Sequence, residues 1–203
     1  MTETIFAEPD VFLAELAGRS EQIIRAGHPK LYRPALSVAD ITDSNLHNLI
    51  HDMIEIMIAA PGVGLAAPQV AVGLRVLTYR IPPGRANAEL GEQEIEPRCL
   101  INPSFEILSD EIQEGYEGCL SYPNLMGLIP RYRHILCRAD LPDGRKWEAE
   151  CKDFEARILQ HEIDHLNGVV FVQRMSDWSK FGFVEEVKAA LQVEKQQQEN
   201  DSA

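Results

Sequence analysis

Residues 160–168 read QHEIDHLNG, and this stretch decides between a metal centre and an ordinary amphipathic helix. Side chains four positions apart share one face of an α-helix, so His161 and His165 can direct both imidazoles at one point, with Glu162 beside them. The pattern H-E-x-x-H is typical of two metal ligands next to a carboxylate that handles a proton on metal-bound water. HNLIH at 47–51 has the same histidine spacing, but it lacks the adjacent Glu. We interpret its histidines as surface or boundary residues.

A metal centre of this kind needs a third ligand, and the residues alone offer three candidates. The metzincin pattern places its last ligand at Phe171, which cannot coordinate a metal. Glu185 and Glu186 suit the spacing of a thermolysin-like site, although the charges around them favour a solvated helix face. Cys119, in EGCLSYP at 117–123, precedes a turn where the backbone can approach a ligand closely. A thiolate with two imidazoles leaves an open position for water, while the alternative role of Cys119 is that of a buried structural cysteine.

Composition and charge restrict the class of protein. The chain has 203 residues, 45% of them apolar and 25% charged, the balance of a single globular domain. Its 32 acidic and 19 basic side chains give a formal net charge of −13, and such a surface repels phosphate backbones and anionic lipid. We therefore do not expect binding to nucleic acid or to membranes as the main activity.

Targeting signals and cysteine usage indicate a compartment. The N-terminus carries neither the basic region nor the apolar run of a secretory signal. No stretch reaches the roughly 18 apolar residues of a membrane span. Four cysteines in such a chain indicate reduced thiols. We expect a cytoplasmic protein in which Cys99, Cys137 and Cys151 are buried structural residues within strands.

Hydrophobic periodicity and turn residues predict the secondary structure. The predicted elements are, in chain order, a helix over 44–59, a strand over 74–81, an exposed acidic loop over 82–97, a strand over 99–108, a hairpin of 134–141 with 146–154, a helix from about 153 to 167 and a last helix over 177–195. The tail after residue 195 is expected to fray. Strands with helices packed against them predict an α+β domain.

Three blocks taken together resemble one known family. GVGLAAPQ at 62–69, EGCLS at 117–121 and QHEIDHLNG at 160–168 are similar, in this order and spacing, to the three motifs of peptide deformylases, over roughly residues 25–175. The resemblance implies antiparallel β-sheets packed around a central helix that carries H-E-x-x-H, followed by a C-terminal helix. The implied divisions are an N-terminal lead-in (1–25), a catalytic domain (26–176) and a C-terminal helix with a frayed tail (177–203).

The implied activity is hydrolysis of the N-formyl group from N-formylmethionine at the start of new polypeptides, with release of formate. The resemblance implies these roles: Cys119, His161 and His165 bind the metal, Glu162 is the general base and acid, the Gln69 side-chain amide and the Leu120 backbone N–H donate to the oxyanion, and the Gly64 backbone lies along the substrate. The chemistry suits these residue types, because a metal lowers the pKa of bound water and a glutamate can carry its proton to the leaving amine. Without the other two blocks, we would interpret Gln69 as a surface glutamine after a Pro-containing turn.

The methionine pocket and the metal are less closely determined. The candidates for an apolar side-chain pocket, whose alternative role is core packing, are Val63, Leu125, Met126 and Ile129. One thiolate and two imidazoles suit zinc, iron, nickel or cobalt. The resemblance implies iron (Fe²⁺) as the working metal, with Zn²⁺, Ni²⁺ or Co²⁺ as substitutes.

Some features depart from the commonest family pattern or have two interpretations. Gln173 stands where an acidic residue is frequent. The expected partner is an N-formylmethionyl peptide or nascent chain, with transient ribosome association. Some members of the family dock on the ribosome through a basic C-terminal helix. Residues 177–203 carry three lysines against six acidic side chains, which puts that route in doubt here.

Two polar residues near the motifs have two interpretations each. Asp164 either orients a histidine or faces solvent, and Arg157 either pairs with Glu117 or lies on the surface.

Two other functions remain open. One is a metallopeptidase that uses Glu185 as third ligand, which predicts loss of metal in Glu185→Ala. The other is a non-catalytic metal-binding module, in which Glu162→Ala changes no turnover because there is none.

Overall fold

The structure, a computed structural model, describes residues 23–201. The first 22 residues of the predicted lead-in lie outside this range. The described residues form three α-helices, α1 (Ser44–Ala59), α2 (Asp153–Leu166) and α3 (Val184–Asp201). The strands are β1 (Gly64–Ala66), β2 (Val76–Ile81), β3 (Ile95–Ile107), β4 (Ile112–Cys119), β5 (Tyr122–Tyr132), β6 (His134–Asp140), β7 (Lys146–Lys152) and β8 (Phe181–Phe183).

Two antiparallel sheets surround the middle helix. The larger sheet has the strand order β1-β2-β3-β6-β7 and the smaller one the order β4-β5-β8. Helix α2 contacts β1, β2, β6 and β7 of the first sheet and β5 of the second. The predicted α+β class, with antiparallel sheets around a central H-E-x-x-H helix and a C-terminal helix, is confirmed.

Helix α2 is buried on nearly all sides, although its sequence is polar. This burial is possible because the polar side chains of α2 form hydrogen bonds to the sheets. For example, the Gln160 amide accepts from the Tyr132 N–H at 3.1 Å and donates to the Tyr132 carbonyl at 2.8 Å. The helix ends at the predicted stop, where Gly168 takes a φ of 74°. A Cβ there would meet the Tyr32 backbone at 2.8 Å, so both the turn and the close packing require glycine.

Helix α1 has the predicted bounds. The Asp43 carboxylate caps it by accepting a hydrogen bond from the Asn45 N–H at 2.8 Å. Its apolar face packs against β1, β2 and β3, while His47 and His51 are exposed as predicted. The buried residues of this face are Leu46, Leu49, Ile50, Met53 and Met57.

The hairpin of β6 and β7 is also confirmed, and Cys137 pairs with Ala149 across it. Cys99, Cys137 and Cys151 are free thiols and buried, as predicted. Burial raises the pKa of the Cys99 thiol to about 12, which keeps it protonated and unreactive. None of the described helices combines the length and the apolar character needed to cross a lipid bilayer.

The C-terminal region differs from the prediction. The last helix begins at Val184, not at 177, and it continues through Asp201, where a frayed tail was expected. A short 3-10 turn (Trp178–Lys180) and strand β8 occupy the predicted first turns. Strand β8 pairs with β5, with Leu125 opposite Phe183, and this long-range pairing overrides the local helical pattern.

Candidate active site

The three predicted ligands meet between the end of β4 and the middle of α2. Possible ligand atoms of Cys119, His161 and His165 all lie within 4.8 Å of one another, and Cys119 Sγ is 3.3 Å from His165 Nε2. Bonds of about 2.0–2.3 Å to one ion hold ligand atoms at roughly this spacing. Among residues 23–201, no other three His, Cys, Asp or Glu side chains converge in this way. Glu185 is therefore not brought to the histidines.

Cys119 reaches this position through an irregular hairpin. It is the last residue of β4 and pairs with Tyr122, while Gly118 pairs with Met126. The register shift makes residues 123–125 bulge, and Asn124 takes a φ of 63°, which asparagine tolerates better than most residues.

Glu117 supports His161 from the same strand. Its Oε2 lies 2.8 Å from His161 Nδ1, and Arg131 binds both carboxylate oxygens at 2.9 Å. Burial alone would raise the pKa of Glu117, but hydrogen bonds and charge from His161 and Arg131 outweigh it and hold the pKa well below its usual range. The ionised carboxylate orients the imidazole so that Nε2 is left for a metal.

Two further polar residues join this buried network. Arg157 NH1 donates to Glu117 Oε1 at 2.8 Å, which confirms the ion pair over the surface alternative. Asp164 binds Arg131 at 2.5 Å and Arg174 at 2.6 Å. Asp164 thus neither faces solvent nor orients a histidine; it anchors the arginine that holds Glu117.

Glu162 lies buried beside the ligands. Its Oε2 has no hydrogen-bond partner among the described residues. Burial raises the pKa of this carboxyl to about 7, so it can exchange a proton near neutral pH. Gly64 packs directly against it, since a Cβ on Gly64 would come within 2.2 Å of Glu162 Oε1.

Gln69 is oriented by the backbone of its own turn. Its Oε1 accepts a hydrogen bond from the Ala66 N–H at 2.8 Å, which assigns Nε2 as the group that faces the site. Nε2 lies 3.5 Å from Cys119 Sγ and 3.3 Å from Ser121 Oγ. Gln69 is thus a buried donor beside the predicted ligand Cys119 and not a surface residue.

A cavity of ≈ 440 Å³ opens onto these groups. Most of the predicted site residues line it: Val63, Gly64, Gln69, Cys119, Leu120, Leu125, His161 and Glu162. Met126 and Ile129 are not among the residues that line this cavity. Ile129 is fully buried in β5, and Met126 is held in the strand pairing with Gly118 and Gly182.

A family model described as polypeptide deformylase matches residues 20–181, most of the chain. The chain belongs to the polypeptide deformylase family. Deformylases are enzymes that remove the N-formyl group from nascent polypeptides, and this chain is such a hydrolase.

Individual deformylases match over most of their length. Peptide deformylase 1 of Bordetella pertussis is 43% identical over 164 residues, 80% of this chain and 92% of that protein. Peptide deformylase 1 of Xanthomonas campestris is 44% identical over 163 residues, 80% and 94% of the two chains. Among solved structures, the Thermotoga maritima deformylase gives a TM-score of 0.68 at 35% identity, covering 77% of this chain and 97% of that one. The Synechococcus elongatus deformylase, solved in complex with actinonin, gives 0.70 at 32% identity, covering 81% and 84%.

The deformylase site also contains residues that the sequence analysis missed. Arg131 is the main example, and strand periodicity was the available signal, because Gly127, Ile129 and Arg131 alternate as the inward positions of β5. The cavity wall further includes Tyr116, Phe154 and Ile158. The last two lie on the face of α2 that precedes His161, which the i, i+4 rule would have indicated.

Proposed function

We propose that this deformylase is a metal-dependent enzyme that acts on N-formylmethionine at the start of new polypeptides. The observation that carries the proposal is the convergence of Cys119, His161 and His165 beside a buried Glu162 oxygen that has no other partner among the described residues. One thiolate and two imidazoles fit a divalent transition metal, and three protein ligands are the number typical of a catalytic site. Iron (Fe²⁺) is the expected working ion, with Zn²⁺, Ni²⁺ or Co²⁺ as substitutes.

When bound, the metal would supply Lewis acidity to the attacking water and to the formyl carbonyl. Glu162 takes a proton from the water as the water oxygen attacks the formyl carbon. The same carboxyl then passes this proton to the amide nitrogen as the carbon–nitrogen bond breaks. One water and one formyl peptide thus give formate and a peptide with a free α-amine. The buried position and raised pKa of Glu162 suit both transfers.

Two donors would stabilise the negative charge that develops on the formyl oxygen. The Gln69 Nε2 amide is held toward the site by the Ala66 N–H, and the Leu120 N–H follows Cys119 in the hairpin turn. Donors that are fixed before reaction lose no energy to reorientation, and removing one typically costs on the order of 10²–10³ in rate.

The substrate would lie along the Gly64 backbone, with its side chain toward the apolar wall that includes Val63 and Leu125. We place the enzyme in the cytoplasm, where nascent chains emerge, with transient association with the ribosome. The acidic helix α3 is a poor match for ribosomal RNA, so such association would use another surface.

The test is formate release from a short N-formylmethionyl peptide by protein purified without oxygen. We expect Glu162→Gln to lose turnover and to keep its metal, measured by elemental analysis, since it replaces the proton carrier and not a ligand. Cys119→Ala should lose the metal, while Glu185→Ala, on the exposed helix α3, is the matched control that keeps both. Metal loss in Glu185→Ala with retention in Cys119→Ala would overturn the ligand assignment. Unchanged turnover in Glu162→Gln would overturn the mechanism.

A further inference from the structure

Arg157 occupies the wall of the active-site cavity, one helical turn before His161. Its guanidinium lies flat against Gly115 of β4: a Cβ on Gly115 would be 2.8 Å from Cζ, 2.9 Å from NH2 and 3.1 Å from Nε. Contacts below 3.0 Å do not occur for real Cβ atoms, so only glycine at 115 leaves room for the guanidinium.

Holding Glu117 in place does not require Arg157. Arg131 already binds both Glu117 oxygens at 2.9 Å, in the bidentate geometry that fixes a carboxylate best. Arg157 adds a single contact of 2.8 Å to the oxygen that Arg131 Nε already binds. The support of His161 by Glu117 can therefore persist without Arg157, and the buried cation needs another explanation.

The hydrogen bonds of Arg157 leave part of its donor capacity unused. A guanidinium has five N–H groups. NH1 donates to Glu117 Oε1 at 2.8 Å and to the Ile129 carbonyl at 2.9 Å, with a longer contact of 3.4 Å to the Gly115 carbonyl. NH2 donates to the Gln113 carbonyl at 2.6 Å. Within the described part of the chain, the Nε–H and the second N–H of NH2 have no acceptor.

The cavity wall beside Arg157 combines apolar side chains with Glu117, whose Oε1 already accepts from NH1. Next to Arg157 on α2 lie Phe154 and Ile158, and Val63 and Leu125 belong to the same cavity. Arg85, the other cation on the wall, is exposed and stands over the Phe154 ring at 5.3 Å from its centroid. A substrate side chain that enters this cavity thus meets a wall that includes these apolar groups and Arg157.

We propose that Arg157 is a specificity-determining residue, which favours methionine by donating to the thioether sulfur of the substrate side chain. The proposal rests on the proposed function and adds how the side chain is selected. A thioether is a weak acceptor, whereas norleucine has the same length with a methylene in place of the sulfur. A norleucine side chain leaves the donors of Arg157 unsatisfied in a site that excludes water, and such sites discriminate against analogues that lack the acceptor.

The experiment compares kcat/KM for formyl-Met-Ala-Ala and formyl-norleucine-Ala-Ala in the metal-loaded wild-type enzyme and in Arg157→Met. We expect the wild type to prefer the methionine peptide roughly three- to ten-fold, the range for the net contribution of one hydrogen bond. Arg157→Met should bring this ratio to about one. The control is Arg174→Met, which removes an arginine of the same ion-pair network that does not line the cavity, and it should keep the wild-type ratio.

The ratio is informative because a purely structural residue would lower both rates together. An unchanged ratio in Arg157→Met, or equal rates for both peptides in the wild type, would overturn the assignment. The wild-type comparison needs no variant, so equal wild-type rates overturn the assignment even if Arg157→Met fails to fold. Absence of formate from both peptides would overturn the proposed function, and this assignment with it.

Discussion

Replacing Gly64 by alanine should stop catalysis without removing the metal. The new Cβ would lie 2.2 Å from Glu162 Oε1, 2.7 Å from Cδ and 2.8 Å from Cγ, so the whole carboxyl group stands in its way. Ordinary contact begins at 3.4 Å, and Oε1 must therefore move by 3.4 − 2.2, about 1.2 Å. The backbone cannot yield instead, because Gly64 is paired with Tyr79 in the sheet.

A displacement of that size is large for a proton carrier. Misplacing a reacting group by about 1 Å can cost on the order of 10² in rate, and complete loss of general acid–base catalysis costs up to about 10⁴. We expect kcat of Gly64→Ala to fall by about 10²–10⁴. The metal content should stay at the wild-type level, because the close contacts of the new Cβ are all with Glu162.

The assay is formate release under saturating peptide, with elemental analysis and thermal melting on the same preparations. Gly73→Ala is the matched control, since a Cβ there meets nothing within 4 Å, and it should behave as the wild type. A Gly64→Ala enzyme with kcat within three-fold of wild type would refute the steric argument. Loss of metal in that variant would show that the ligands, and not Glu162, had moved.

Three further predictions concern the surrounding network. Gln69→Ala should lower kcat by about 10²–10³ at unchanged metal content, as expected for one oxyanion donor; a change in KM alone would contradict that role. Glu117→Ala should weaken metal binding by about 10–100-fold, measured by competition with a chelator. It should also lower the free energy of unfolding by about 3–5 kcal/mol, because Arg157 loses its carboxylate partner and Arg131 keeps only Asp164. Gly115→Ala should lower the melting temperature, because the new Cβ would meet the Arg157 guanidinium. The double variant Gly115→Ala/Arg157→Met should lower it by less than the sum of the two single changes. Additive effects would refute the contact between residues 115 and 157.

Much of the local structure could be predicted because its signals are local. The bounds of α1 follow from an apolar face with a capping Asp43, and those of α2 from a helical pattern that ends at Gly168. The hairpin of β6 and β7 follows from two alternating runs joined by a turn sequence. The spacing of His161 and His165 is likewise local, so placing both histidines on one helix face required no tertiary information.

Strands β4, β5 and β8 were not predicted, because their conformation depends on contacts with residues that are distant in the sequence. Gly115 and Pro130 are residues that usually interrupt strands. In the structure, Gly115 leaves space for the guanidinium of Arg157 from α2, and Pro130 is paired with Glu114 in the sheet. Trp178 to Phe183 continue an apparently helical pattern, but β8 is fixed by pairing with β5. The same limit applies to the pocket. Met126 and Ile129 are as apolar as Leu125, and only the fold shows that Leu125 lines the cavity while the other two do not.

The register of β4 also explains how one strand can supply both Cys119, the proposed ligand, and Glu117, the carboxylate that binds His161. Glu117 and Cys119 are two residues apart on β4, so they point to the same face, toward His161 and His165. A slip of one residue in the pairing of β4 with β5 would turn both side chains to the opposite face. The buried Arg131, on the partner strand, bonds to Glu117 and to Asp164 of α2, and these bonds are lost in any slipped register. The ion-pair network therefore specifies the register, and the register in turn brings Cys119 to the two histidines with which we propose that it binds the metal.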